Sequence, residues 1–146
     1  MTDWDHDVDV VVLGSGGAGL TAALTAAVHG ASVEVYEKSA TVGGTTAVSG
    51  GIMWIPAHKR SSAGELTPED AMAYLRAQSL GYMDDELVET FVHTGADMLD
   101  FVEAHSDLRF EVAQGFPDYK PELPGGQPGG GRSLNTKPFD LAGLGE

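Results

Sequence analysis

Gly14, Gly16 and Gly19 lie in the run Gly14-Ser15-Gly16-Gly17-Ala18-Gly19, which has the spacing GxGxxG. That spacing suits a diphosphate. Gly14 permits a tight turn, Gly16 has no side chain to hold a pyrophosphate off the backbone, and Gly19 lets a helix pack closely on the preceding strand. The anion would rest on unpaired N–H groups at the positive end of that helix. The spacing acquires this meaning only between a strand and a helix.

Further along, Glu37 stands 23 positions beyond Gly14, with Lys38 beside it. An acid ~20 residues after the fingerprint accepts hydrogen bonds from the adenosine ribose and disfavours a 2′-phosphate. NAD and FAD both use such a unit. A second glycine-rich stretch leans toward FAD: Val42-Gly43-Gly44-Thr45-Thr46, then Ser49-Gly50-Gly51. Bare backbone with hydroxyl donors suits a polar, extended ligand portion such as the ribityl and diphosphate of a flavin dinucleotide.

These residues need a frame to hold them. Val8 to Leu13 is an almost wholly apolar, β-branched run. It predicts a strand buried on both faces, as in a central parallel strand. Leu20, Ala23, Leu24, Ala27 and Val28 follow at helix spacing, and Gly30 ends the helix. Ser32 to Tyr36 predicts a second strand, so the three elements form a βαβ unit with parallel strands.

After Glu37 the chain reads as irregular as far as Gly64. Thr67-Pro68-Glu69-Asp70 then starts a helix, with Thr67 as cap and two acids on the positive dipole end; it runs to Leu80 and stops at Gly81. Asp84-Asp85-Glu86 starts another helix that ends near Gly95, and a third spans Ala96 to His105. Leu108 to Val112 is a candidate short strand. Gly115 to Pro138 reads as a loop rich in proline and glycine.

Composition narrows the partners. Among 146 residues, acidic side chains outnumber basic ones 22 to 8, for a net charge of −14. A general nucleic-acid binder needs a basic stripe, and an anionic membrane surface would repel this chain. With no cysteine there is no disulfide framework, thiolate metal site or cysteine nucleophile. Asp3, Asp5, His6, Asp7 and Asp9 read as a solvated tail rather than a metal site, so no metal is expected. The acidic start, Met1-Thr2-Asp3-Trp4-Asp5, differs from the basic start of a signal peptide. Glycines 14 to 19 break the uncharged run Val10 to Val33 into pieces too short to span a bilayer. The expectation is a cytoplasmic protein.

The stretches "VVVLGSGGAGLTAALTAA" and "VEVYEKSATVGGTTAVSGGIMWIP" resemble the start of the superfamily of FAD-dependent fumarate reductases and 3-ketosteroid dehydrogenases. Trp54-x-Pro56 and the later "GFPDYKPELPGG" are closer to the ketosteroid dehydrogenase branch. The resemblance implies FAD held non-covalently, because covalent-flavin members carry a histidine in the stretch matching Gly43 to Thr46. It also implies a catalytic role for Tyr119. Ketosteroid dehydrogenases carry an active-site tyrosine in a similar Pro-Asp-Tyr context, where it assists the tyrosine that acts as base. The alternative for Tyr119 is a loop tyrosine packed on prolines.

The expected fold is therefore α/β, a Rossmann-like βαβ FAD-binding domain. Two parallel strands and a third candidate do not complete such a sheet. Residues 1–146 are thus expected to form the N-terminal portion of the domain, with an incomplete parallel sheet and added helices. The substrate domain would be absent. The implied reaction of the intact enzyme is dehydrogenation beside a ketone, with a small-molecule substrate, a steroid by resemblance, and an unknown electron acceptor. Rival readings are a flavin-dependent reductase of an activated alkene, an NAD-dependent dehydrogenase, and a catalytically silent module.

Overall fold

The computed structural model of the chain describes residues 4–61 and 64–138. It divides into two compact units, Met1–Gly51 and Ile52–Glu146. Both parallel and antiparallel strand pairing occur, together with helices, so the fold is α/β. Among the described residues no helix is long and apolar enough to cross a membrane.

The first unit contains the βαβ element. Strand β1 (Val10–Leu13) pairs in parallel with β2 (Val33–Tyr36), with Val10 opposite Val33 and Leu13 opposite Tyr36. Helix α1 (Gly17–Val28) makes the crossover and packs on both strands. Its end matches the sequence expectation: His29 is the cap residue, and Gly30 follows at φ +88°. A five-residue helix, α2 (Gly44–Val48), lies inside the segment expected to be irregular.

Burial on both faces of β1 is not what the structure shows. Val12 is buried, whereas Leu13 is 81% exposed and Val11 is also exposed. Successive side chains of a strand point to opposite faces. Val12 points toward α1 near Gly19, which leaves Val11 and Leu13 on the face that α1 does not cover. Nor is the N-terminal acidic segment entirely a free tail. Asp9 accepts from both the N–H and the hydroxyl of Ser32, and His6 bonds Glu34 across from β2. Asp3 lies outside the described residues.

The second unit is built on an antiparallel sheet in the order β3-β5-β4, made of β3 (Met53–Trp54), β5 (Gly130–Thr136) and β4 (Phe110–Gln114). Its central strand lies within the stretch expected to be a loop. Two helices accompany the sheet. Thr67 caps α3 (Pro68–Ser79) by accepting from Asp70 N–H, and Leu80, in the left-handed region at φ 54°, ends it ahead of Gly81. Asp84 caps the longer α4 (Asp85–His105) by accepting from the N–H groups of Glu86 and Leu87.

Helix α4 replaces the two helices expected on either side of Gly95. This glycine is not a stop. It is buried in the helix, where an added Cβ would lie 3.2 Å from Ile55 Cγ2. Its lack of a side chain lets the helix approach Ile55, at the cost of lower helix propensity. Ile55, Leu99, Val102, Phe110 and Leu134 form the core that joins α4 to the sheet.

Candidate functional site

In the first unit the glycine run turns the chain from β1 into α1. Gly14 takes φ +95°, a conformation that favours glycine, and its N–H donates to Tyr36 O at 2.8 Å. Gly16 is the N-cap of α1 in extended conformation. At Gly19 a Cβ would stand 2.0 Å from Gly14 O, so only glycine lets α1 start this close to the turn. A cleft of about 780 Å³ opens beside this turn. Its lining includes Gly14, Ser15, Gly16, Glu37, Lys38, Gly44 and Thr45.

Ser15 is buried and ties three segments together. Its N–H (2.9 Å) and hydroxyl (2.6 Å) both donate to Glu37 Oε2, and the hydroxyl accepts from Gly43 N–H at 2.9 Å. Glu37 Oε1 accepts from Ser39 N–H at 2.9 Å. These donors stabilise the ionised carboxyl, the Ser15 hydroxyl most of all and then the Ser39 N–H, and lower its pKa from 4.5 to about 2. An ionised carboxylate has about four acceptor sites. Besides these three bonds the Lys38 backbone N–H adds a weaker interaction, so a sugar hydroxyl would share the carboxylate with donors of the chain itself.

Not every N–H of the fingerprint faces a ligand. Ser15 N–H is taken by Glu37, and Gly17 N–H donates to Thr46 Oγ1 at 3.0 Å. The backbone N–H groups of Gly16 and Ala18 have no partner among the described residues, and they lie at the positive end of α1. Thr46 thus braces α1 and does not line the cleft. Gly43, at φ +107°, is the N-cap of α2. Gly44 approaches the fingerprint so closely that a Cβ on it would lie 3.2 Å from Gly16 Cα. Ser49, Gly50 and Gly51 form the turn after α2 and are not among the residues lining the cleft; Ser49 instead bonds Thr46 O and Gly51 N–H.

The arrangement fits an adenine dinucleotide. It combines an ionised acceptor in the cleft wall, a side-chain-free approach at Gly16, and backbone donors at a helix N-terminus. Sequence reasoning missed Ser39, Tyr36 and Leu13 as lining residues. Ser39 bonds Glu37 through its backbone N–H, which any residue but proline supplies, so its residue type gave no signal.

In the second unit Tyr119 is 88% exposed, so it is not packed on the neighbouring prolines. Its neighbour Asp118 is buried and forms an ion pair with Arg132, Nη1 to Oδ2 at 2.7 Å, in which both side chains are almost fully enclosed. Trp54 Nε1 donates to Asp118 Oδ1 at 2.7 Å. The Arg132 guanidinium carbon lies 5.5 Å from the Trp54 ring and 5.6 Å from the Tyr74 ring, within cation–π range. Neither Arg132 nor Tyr74 stood out in the sequence. Among the described residues no group of three or more potential ligands could hold a metal ion.

Residues 9–146 match the family model of an FAD binding domain. Over 143 residues the chain is 46% identical to a 3-oxosteroid 1-dehydrogenase of Mycolicibacterium smegmatis, an alignment covering 96% of this chain and 25% of that protein. It is 45% identical over 138 residues to a 4-oxocyclohexanecarboxylate 2-dehydrogenase of Sinomonas cyclohexanicum, covering 93% of this chain and 24% of that protein. Among solved structures, a 3-ketosteroid delta1-dehydrogenase from Sterolibacterium denitrificans in complex with 1,4-androstadiene-3,17-dione superposes with a TM-score of 0.89 at 36% identity, over 95% of this chain and 25% of that one. The chain spans about a quarter of the length of these relatives.

Proposed function

Because the chain belongs to the FAD-binding domain family, we propose that it is the N-terminal, FAD-binding portion of a dehydrogenase that acts on a 3-ketosteroid or a similar cyclic ketone. The observation that carries the cofactor part is the Ser15–Glu37–Gly43 network. It fixes an ionised acceptor beside a helix start and a second glycine loop. The substrate part is supported by relatives whose names describe ketone dehydrogenation.

When bound, FAD supplies the acceptor for hydride. The chain's own residues hold it. Glu37 accepts from the adenosine ribose. Gly16 and Ala18 present backbone N–H groups to the diphosphate, and Gly44 and Thr45 offer bare backbone and a hydroxyl to the more distal portion. Lys38 lines the same cleft and adds a cation near the anionic ligand. No covalent anchor is needed or offered, since Gly43 to Thr46 contain no histidine.

Tyr119 belongs to the same reading. Its exposed hydroxyl assists the base that removes the proton next to the ketone, through a hydrogen bond that eases the charge developing there. The intact protein tests the proposal directly. Purified with its flavin and mixed anaerobically with a 3-ketosteroid, it should lose its yellow absorbance, and an artificial acceptor should restore it. A 4-oxocyclohexanecarboxylate should be assayed alongside. A flavin left oxidised by both ketones would sink the dehydrogenase reading, and reduced flavin reoxidised by fumarate would favour an alkene reductase.

A further inference from the structure

We propose that the buried pair Asp118–Arg132, together with Trp54 and Tyr74, is a clamp that positions the loop presenting Tyr119. The inference rests on the catalytic reading of Tyr119 and assigns residues that act through it.

Both neighbours of Tyr119 are tied down while Tyr119 itself is free to face outward. On one side, Asp118 N–H donates to Gln127 O at 3.2 Å and Gln127 N–H returns to Asp118 Oδ2 at 2.9 Å, which closes the loop at its two ends. On the other side, Lys120 N–H donates to the Tyr74 hydroxyl at 3.3 Å. Midway along the loop, Gly125 lies so close to the start of α3 that a Cβ would stand 2.0 Å from Asp70 O. The Tyr119 side chain has no hydrogen-bond partner among the described residues.

The clamp is made of groups that are costly to bury. Asp118 Oδ2 accepts from Arg132 and Gln127, and Oδ1 accepts from Trp54. Arg132 Nε donates to Pro56 O at 3.0 Å, while Nη2 is buried without a hydrogen-bond partner among the described residues. Replacing an enclosed ion pair by apolar residues of the same volume is often neutral or stabilising, so the role assigned to this pair is geometric. Here the defined object is the backbone on either side of Tyr119. Arg132 supplies it from β5, the central strand of the sheet.

The test is a double-mutant cycle in the intact, flavin-loaded enzyme. Tyr74→Phe removes only the acceptor of Lys120 N–H and keeps the ring beside Arg132. Asp118→Asn keeps the shape, but its single carbonyl oxygen cannot accept from Trp54, Gln127 and Arg132 at once. Each substitution is expected to lower kcat roughly tenfold, as a misplaced catalytic group does, with KM and flavin content unchanged. In a Tyr119→Phe background neither should lower kcat further. Should Asp118→Asn fail to fold, Tyr74→Phe decides alone. Unchanged kcat in a folded Tyr74→Phe variant, or an equal fall in both backgrounds, overturns the clamp while leaving Tyr119 in place. Wild-type turnover in Tyr119→Phe by itself overturns the catalytic reading, and the clamp with it.

Discussion

Ser15 and Glu37 are joined twice: the Ser15 N–H at 2.9 Å and its hydroxyl at 2.6 Å both donate to Glu37 Oε2. The hydroxyl also accepts from Gly43 N–H. One buried side chain therefore links the turn after β1, the end of β2 and the second glycine loop. Glu37 does not point freely into the cleft; the glycine-rich turn after β1 holds it in place.

That relationship makes Glu37→Gln informative. The amide keeps the size but has one acceptor oxygen where the carboxylate has two, and Ser15 and Ser39 compete for it with the ribose. The intact protein should bind FAD roughly ten- to a hundredfold more weakly, the range for losing a hydrogen bond to a charged acceptor. Titration of the apoprotein with FAD checks this, and an unchanged dissociation constant removes Glu37 from the site.

Gly19 and Gly16 should separate folding from binding. A Cβ at Gly19 would press within 2.0 Å of Gly14 O, which is backbone and cannot swing away. Gly19→Ala should therefore destabilise the protein by about 1–3 kcal/mol, the usual cost of overpacking, and should lose FAD as well. At Gly16 the nearest atom to a new Cβ is Thr46 Oγ1 at 3.9 Å, an ordinary contact. Gly16→Ala should melt like the wild type and still bind FAD poorly, because the methyl fills the diphosphate's approach. Thermal melts beside FAD titrations distinguish the two.

The βαβ frame was legible because its signals are local: a β-branched run, glycines at a turn, an apolar stripe, an acid at a strand end. Other features depend on partners distant in sequence. Strand β5 has the sequence Gly130-Gly131-Arg132-Ser133-Leu134-Asn135-Thr136, without apolar alternation. It is a strand because β3 and β4 pair with it on both sides. Gly130 reads as a loop residue, but it sits at φ +76° beside an irregularity in the ladder, where a Cβ would strike Phe116 O. Gly95 was misleading for a related reason, since its φ is helical and its function is close packing on Ile55. In the cleft, Glu37 was found by spacing. Ser15 stood within the motif, but its role as a tie depends on Gly43, which lies 28 residues away.

Release of the flavin by acid precipitation should be complete. No histidine lines the cleft among the described residues. In the first unit, His6 is bonded to Glu34 and His29 to Thr25 O. A histidyl link needs an imidazole against the flavin, and Gly43 to Thr46 contain none. After trichloroacetic acid treatment the absorbance should be in the supernatant. Yellow colour retained by the washed pellet would contradict the non-covalent reading.

His58 should make the second unit sensitive to mild acid. The ring is buried, its Nδ1 accepts from Arg60 N–H at 3.2 Å, and its Nε2 has no hydrogen bond of normal geometry among the described residues. Burial pushes its pKa below the ordinary value of 6.5. The nearby Arg60 charge acts in the same direction and Arg132 adds to it, while the carbonyls of Gly131 and Arg132 oppose. A histidine depressed in the fold binds more protons when unfolded, so its contribution is present above pH 6.5 and is lost as pH falls below it toward the folded value. His58→Asn keeps an acceptor for Arg60 N–H but does not titrate. Between pH 7 and about 5.5, above the range where ordinary carboxylates titrate, the melting temperature of the wild type should fall more steeply than that of His58→Asn. Parallel curves for the two proteins would show that His58 is already protonated in the fold, or that its titration is not coupled to folding.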